Sequence, residues 1–423
     1  MYIKKRLYLL LSLILFIFNC VSQVGEIEKE YPEYFTVAVK NPTEMDRTDE
    51  LITMDINDVK LKYANFNANA CVVIHNGIEM ASQAIDDNGD DAPDYLVYLL
   101  NLKAGETKRL TVRYSIQGKK SREYKKRTQA ELSVKVGGKF EDRKYVGGQF
   151  QNVNFLSVPP EHTDHSFYIR YEGPGWESDK IGYRFYLDWR NAIDIFGKKV
   201  TEMVLQDVGQ DGFDSYHEMS DWGMDILKVG DALGIGAVGM WYNGKVERVS
   251  KTDSVTCGII SNGSIYSQIR TKYFGWKVGK ETYDLQSDLS IHAGNHLTEH
   301  GVKISGNALN LCTGIVKHEE GLFIKSLDDD LAWAYVATYG KQSLADDNLG
   351  LAVLYKKIDL IEISEDSFNH VVVLKPADGC LTYFFLGAWE KEPGGIQTRE
   401  EFQQYLEMVR NELAMPLEIS LIE

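Results

Sequence analysis

The sequence predicts an all-β protein: a small N-terminal antiparallel sandwich, a large antiparallel β structure after it, and one helix near the C-terminus. Three observations predict this. Short β-branched and aromatic runs recur along almost the whole chain, separated by Asn, Asp and Gly turns. The 24 Tyr, 7 Trp and 36 Gly against only 9 Pro suit aromatic strands and many turns, not disorder. Helical periodicity is scarce before Thr398.

The first 22 residues read as a leader. Lys4, Lys5 and Arg6 precede an apolar run, Leu7–Phe18, too short for a convincing membrane span. Small residues permit cleavage after Ser22, which predicts a periplasmic protein. Lipidation of Cys20, or secretion, is the alternative. Residues 23–117 carry the sandwich strands: Tyr34–Val39, Leu51–Ile56, Cys71–His75, Tyr95–Leu100 and Leu110–Ile116. Asp86, Asn88 and Asp90 open like a calcium loop, but Val97 stands where the closing Glu belongs. A polar turn is expected there, with structural calcium the lesser alternative and no other cofactor. The basic run in residues 118–128 reads as a linker.

Residues 129–423 form the second domain. Its strands include Ala130–Val136, Phe167–Tyr171, Gly182–Asp188, Val255–Ile260, Leu331–Thr338 and Leu381–Leu386. Thr398 and Glu401 make a capping box. Phe402, Tyr405, Leu406, Val409 and Leu413 then form one apolar stripe, ended by Pro416.

The formal charge of −16 argues against nucleic acid, which needs a basic footprint. An anionic ligand must therefore be caught by a local basic cluster. The five cysteines are too widely spaced for a thiolate metal site. No GxSxG, P-loop or GxGxxG motif is present.

Residues 171–230 concentrate the side chains that carry chemistry. Aromatic faces beside charged groups suit a sugar cleft better than an ordinary core strand. On a strand Gly182–Asp188, Arg184, Tyr186 and Asp188 share one face, which is either a cleft wall or a set of intrasheet ion pairs with Asp188 or Glu177. His217 sits in a Gly- and Asp-rich loop, where imidazoles often transfer protons. His292, His296 and His300 are spaced by four but lack a zinc-protease pattern. His292 reads as a cleft residue, and no metal site is expected.

The blocks GPGWES, YRFYLDWRNAIDIFGK, YHEMSDWGMDILKVG, YGKQSLADDNLGLAVLY, VAVKNPTEMDR and QAIDDNGDDAPDYL resemble a secreted Bacteroidota domain family of long-unknown function. Its members are encoded in polysaccharide-utilisation loci, and some dehydrate ulvan oligosaccharides. The resemblance covers residues 34–423. It implies a galactose-mutarotase-like β-supersandwich and removal of water from a non-reducing-end uronate, with an anionic oligosaccharide as partner. The chemistry then asks for a carboxylate clamp, a base and an acid. Arg184 is the expected clamp, with Lys180 as a second cation. His217 or Tyr216 would take the C5 proton. Tyr186, Glu177 or His292 would protonate the leaving hydroxyl, and Trp176 and Trp222 would stack on sugar rings. A polysaccharide lyase or a non-catalytic glycan-binding protein are the alternative readings.

Overall fold

The computed structural model describes residues 25–212 and 215–422. The expected leader, with Cys20, lies outside the described residues, as do Phe213 and Asp214 beside the His217 loop.

The chain divides into two compact units. The first takes residues 1–124 together with 416–423, and the second takes 125–415. In the first unit a five-stranded sheet runs in the order Glu418–Ile422, Glu33–Lys40, Thr107–Tyr114, Cys71–His75, Ile78–Met80. A three-stranded sheet, Arg47–Asp55, Tyr95–Leu102 and Ser82–Ile85, completes it. Alternate residues Phe35, Val37 and Val39 meet Ile52, Met54, Leu96, Tyr98 and Leu100 in one core. Burying one face of each strand is the physical source of this alternation. The last strand belongs here because Thr36–Lys40 pairs with Glu418–Ile422. That places the C-terminal end with the first unit and not with residues 129–415.

The Asp86–Asp94 turn uses its own acids. Asp86 accepts from the amides of Gly89, Asp90 and Asp91, and Asp94 accepts from those of Asp87 and Asn88. These bonds account for the acidic pattern as turn chemistry.

The second unit is built from antiparallel sheets of nine, five and five strands plus a two-stranded ribbon. The three larger sheets share one core. Trp176, Tyr183 and Ile195 come from one, Leu289, Val302 and Phe385 from the nine-stranded sheet, and Ile315 and Val372 from the third. The expected helix is present over Arg399–Ala414 with its capping box formed. It buries Phe402, Leu406 and Val409 in a cluster with Tyr335, Ala337 and Ala352. Strand residue Gly350 permits this approach, since a Cβ there would lie 2.6 Å from the Phe402 ring. Among the described residues no helix is long and apolar enough to cross a membrane. Cys71, Cys257 and Cys312 are buried, Cys380 is exposed, and all four are free.

Candidate active site

One five-stranded sheet carries Trp176, Glu177 and Arg184: Gly223–Asp225, Ile193–Lys198, Ile181–Phe185, Gly175–Ser178, Thr128–Glu131. Its register explains a pattern that sequence alone leaves ambiguous. Ala130, Trp176, Tyr183 and Ile195 align in one row. Glu131, Gly175, Arg184 and Asp194 align in a neighbouring row, and Gln129, Glu177, Gly182, Phe196 and Asp225 in another. Period two therefore gives the sheet one apolar and one charged face. Both faces are buried. Val204, Leu205, Val208 and Tyr216 pack with Tyr171 and Phe196 over the charged one.

Burial decides what Arg184 does. Only 2% of the residue is exposed. Its guanidinium donates to Asp194 Oδ2 at 3.1 and 2.7 Å, to Asp225 Oδ2, and to the Tyr216 hydroxyl at 2.8 Å. The Tyr186 hydroxyl also donates to Asp194, at 2.6 Å. The charge is thus spent inside the protein, and Arg184 is corrected from substrate clamp to the centre of a buried ion cluster. The sequence offered an intrasheet ion pair as the other reading; the partners are Asp194 and Asp225, while Asp188 binds Arg190. Burial, and then the neighbouring Asp194, push the Asp225 carboxyl well above the usual range. Tyr216 is likewise raised, first by burial, so its phenol stays protonated and is corrected from base to buried partner of Arg184.

Five more expectations meet the same test. Trp176 is 0% exposed, stacks on Tyr183 and donates to Thr298, so it offers no face to a sugar. Glu177 is fully buried; it receives Lys198 Nζ at 2.6 Å and the amides of Val204 and Leu205, a structural anchor and not an exposed acid. Tyr186 is buried against the Arg184 cluster, its proton committed to Asp194. Lys180 lies at the far turn of its hairpin, roughly 13 Å along the strand from Arg184 by strand rise. Trp222 is half-buried, edge-on to Phe196.

His217 keeps the accessibility a proton-transfer group needs. Its side chain is 35% exposed and its Nε2 lies 3.3 Å from Asp225 Oδ2. That carboxyl holds the ring through its Nε2.

The neighbouring pocket was not visible in the sequence. It encloses about 420 Å³, lined by Lys135, Phe150, Phe167, Tyr171, Glu172 and the segment Gly209–Gly212. Gly209 packs on Tyr216, Arg170 and Tyr171, tying the pocket to the cluster above. Lys135 and Phe150 come from the ribbon Ser133–Glu141 and Lys144–Asn152, whose outer end is pinned by Phe140, Tyr145 and Tyr168. Lys135 Nζ stands 5.3 Å from the Phe150 ring centre and has no carboxylate partner among the described residues.

The arginines around it are paired. Arg170 binds Glu131, and Arg190 binds Asp188, Asp164 and Glu172. The Tyr171 hydroxyl donates to Glu131 at 2.7 Å, and burial, with that carboxylate, raises its pKa so the phenol keeps its proton. Gly175 is required here, because a Cβ would lie 2.8 Å from that hydroxyl. Burial alone would raise Glu172, but Arg190 and Arg184 outweigh it and hold the carboxyl below its usual range. His165, Phe167, Tyr171 and Glu172 all have positive φ, at 56°, 57°, 36° and 72°. Each costs of order 1–3 kcal/mol, and such strain gathers at functional sites.

The three spaced histidines serve separate ends. His292 contacts Asn295 and the Ala293 carbonyl, and His296 Nε2 lies 2.6 Å from Glu392. His300 is in the core, bonded to Ser287 and Tyr383, and burial lowers its pKa to about 4. The folded state therefore binds fewer protons than the unfolded chain between about pH 6.5 and 4. Stability present above pH 6.5 is lost as pH falls through that window, by up to about 3 kcal/mol. Urea midpoints measured across it should fall less steeply for His300→Gln, and an unchanged slope would assign the loss to other groups.

Comparison with known proteins places the chain. No curated protein matches the sequence. Among solved structures, an alpha-mannosidase from Enterococcus faecalis V583 is similar at 10% identity and a TM-score of 0.46, over 92% of this chain and 46% of that one. A glycosyl hydrolase family 38 protein from Enterococcus faecalis is similar at 9% identity and a TM-score of 0.45, over 92% and 47%. The chain spans under half the length of either. A family model described as a domain of unknown function matches residues 39–419, nearly the whole described chain, and the protein belongs to that family, DUF4861.

Proposed function

We propose that this protein is a carbohydrate-active dehydratase that removes water from the non-reducing-end uronate of ulvan-type oligosaccharides. The observation that carries the reading is Lys135: an unpaired ammonium beside an aromatic ring in a pocket of ligand size, on a chain of strongly negative charge. Lys135 takes the role first expected of Arg184 and neutralises the substrate carboxylate, so that negative charge develops at C5 at lower cost. Phe150 offers its face to the sugar ring. His217 takes the C5 proton. The C5–H electrons form the C4=C5 bond as the C4–O bond breaks, and the oxygen leaves as water with a proton from solvent in the pocket.

The mature protein incubated with saturated uronate-ended ulvan oligomers should develop enoate absorbance, with a mass loss of one water and no change in chain length. Shortened chains would mean a lyase, binding without product a glycan-binding protein, and either outcome overturns the proposal. Lys135→Ala should lower kcat/KM about 10–100-fold, chiefly through KM, because a charge-assisted contact to the bound carboxylate is lost. Unchanged steady-state kinetics in this variant would remove Lys135 from the site.

A further inference from the structure

Beside the pocket, Asp164, His165 and Glu172 bring one nitrogen and two carboxylate groups together, with ligand atoms all within 4.8 Å of one another. We propose that they bind a divalent first-row transition cation, Zn²⁺ or Mn²⁺. Three features point to a cation. Asp164, Glu172 and Asp188 all pair with one guanidinium, Arg190, so carboxylates outnumber it there, with Arg184 also acting on Glu172. Arg190 meets Oδ1 of Asp164 and Oε1 of Glu172, and His165 Nδ1 lies 2.5 Å from the same Asp164 oxygen. The other oxygen of each accepts no hydrogen bond among the described residues, which leaves lone pairs for a metal.

The third feature is His162. It is 8% exposed, and its Nε2 is buried without a hydrogen-bond partner while its Nδ1 lies 2.8 Å from Ser166. An imidazole nitrogen buried without a partner beside Glu172, Asp188 and Arg190 is costly unless something occupies the site. Mixed imidazole and carboxylate donors suit Zn²⁺ or Mn²⁺, whereas Ca²⁺ takes oxygen ligands.

The site stands independently of the dehydratase reading, and its test reads binding rather than turnover. Protein stripped with a chelator and dialysed is titrated calorimetrically with Zn²⁺, Mn²⁺ and Ca²⁺ in separate runs, and melted with and without each ion. One equivalent of Zn²⁺ or Mn²⁺ should bind and raise the melting temperature. Asp164→Asn and His165→Ala should each weaken binding about tenfold or more. Both side chains are partly exposed, so the metal-free melting temperature of each variant should match wild type. No binding by the wild type, binding of Ca²⁺ alone, or affinity unchanged in both variants would overturn the proposal. A variant that melts early without metal counts against it too, since these side chains would then be holding the fold.

Discussion

His217→Ala turns over substrate about 10²–10⁴-fold more slowly than wild type, while KM and melting temperature stay close to it. The loss is confined to kcat because a proton-transfer group contributes mainly in the transition state. The carboxylate and the sugar ring are held by other side chains, Lys135 and Phe150. The fold survives because the imidazole is one-third exposed and its removal opens no core cavity. Steady-state kinetics on uronate-ended oligomers and a thermal melt read both halves. A variant with wild-type kcat would pass the base to another group. One that unfolds would make this histidine structural, a cap on the loop before Trp222. Asp225→Asn should be mild by comparison, since burial already raises the Asp225 pKa and an amide of the same shape preserves the contact to His217.

Arg184→Met fails differently. The guanidinium sits between Asp194 and Asp225 with no access to solvent, so its loss leaves buried acceptors without their donor. Breaking a buried ion cluster from one side costs about 3–5 kcal/mol, which lowers the melting temperature by roughly 10 °C. Pairing the change with Asp225→Asn should return part of that stability, because one of the stranded carboxyls goes with it. Urea unfolding of the two single variants and the double variant completes the cycle. If Arg184→Met melted like wild type and raised only KM, the guanidinium would be a substrate clamp after all. The two variants separate chemistry from architecture: one should be a stable protein that does not turn over, the other an unstable protein whose activity falls with its folded fraction.

The residues around Tyr171 show how much of the site was legible. The stretch 171–230 does hold Arg184, Tyr216, His217 and Asp225 in one connected cluster. Arg184 and Tyr186 do meet Asp194 together, although the strand ends at Phe185, before Tyr186. What sequence could not show is that this charged face is covered. An alternating charged strand reads the same whether water or the segment around Val204–Val208 lies over it. Arg184 and Glu177 therefore read from sequence as reactive groups, whereas in the fold their charges are already matched. Lys135 and Phe150 gave no signal, since a lysine and a phenylalanine in a Gly-rich hairpin look like ordinary ribbon residues. One clue was present: His162, Asp164 and His165 lie within four residues of one another in EHTDHS.

The sequence by itself determined the β class, the sandwich strands and the capped helix. These are local matters: side-chain alternation, turn residues and the Thr398–Glu401 cap act over a few positions, and each is written in consecutive residues. Only the tertiary structure decided which charges are spent and which are available. It returned Glu418–Ile422 to the first unit, closed Arg184 between two aspartates, and left Lys135 unpaired across from Phe150. The reason is physical: an ion pair depends on distance in space and on exclusion of water, and neither is encoded in the spacing of residues along a strand.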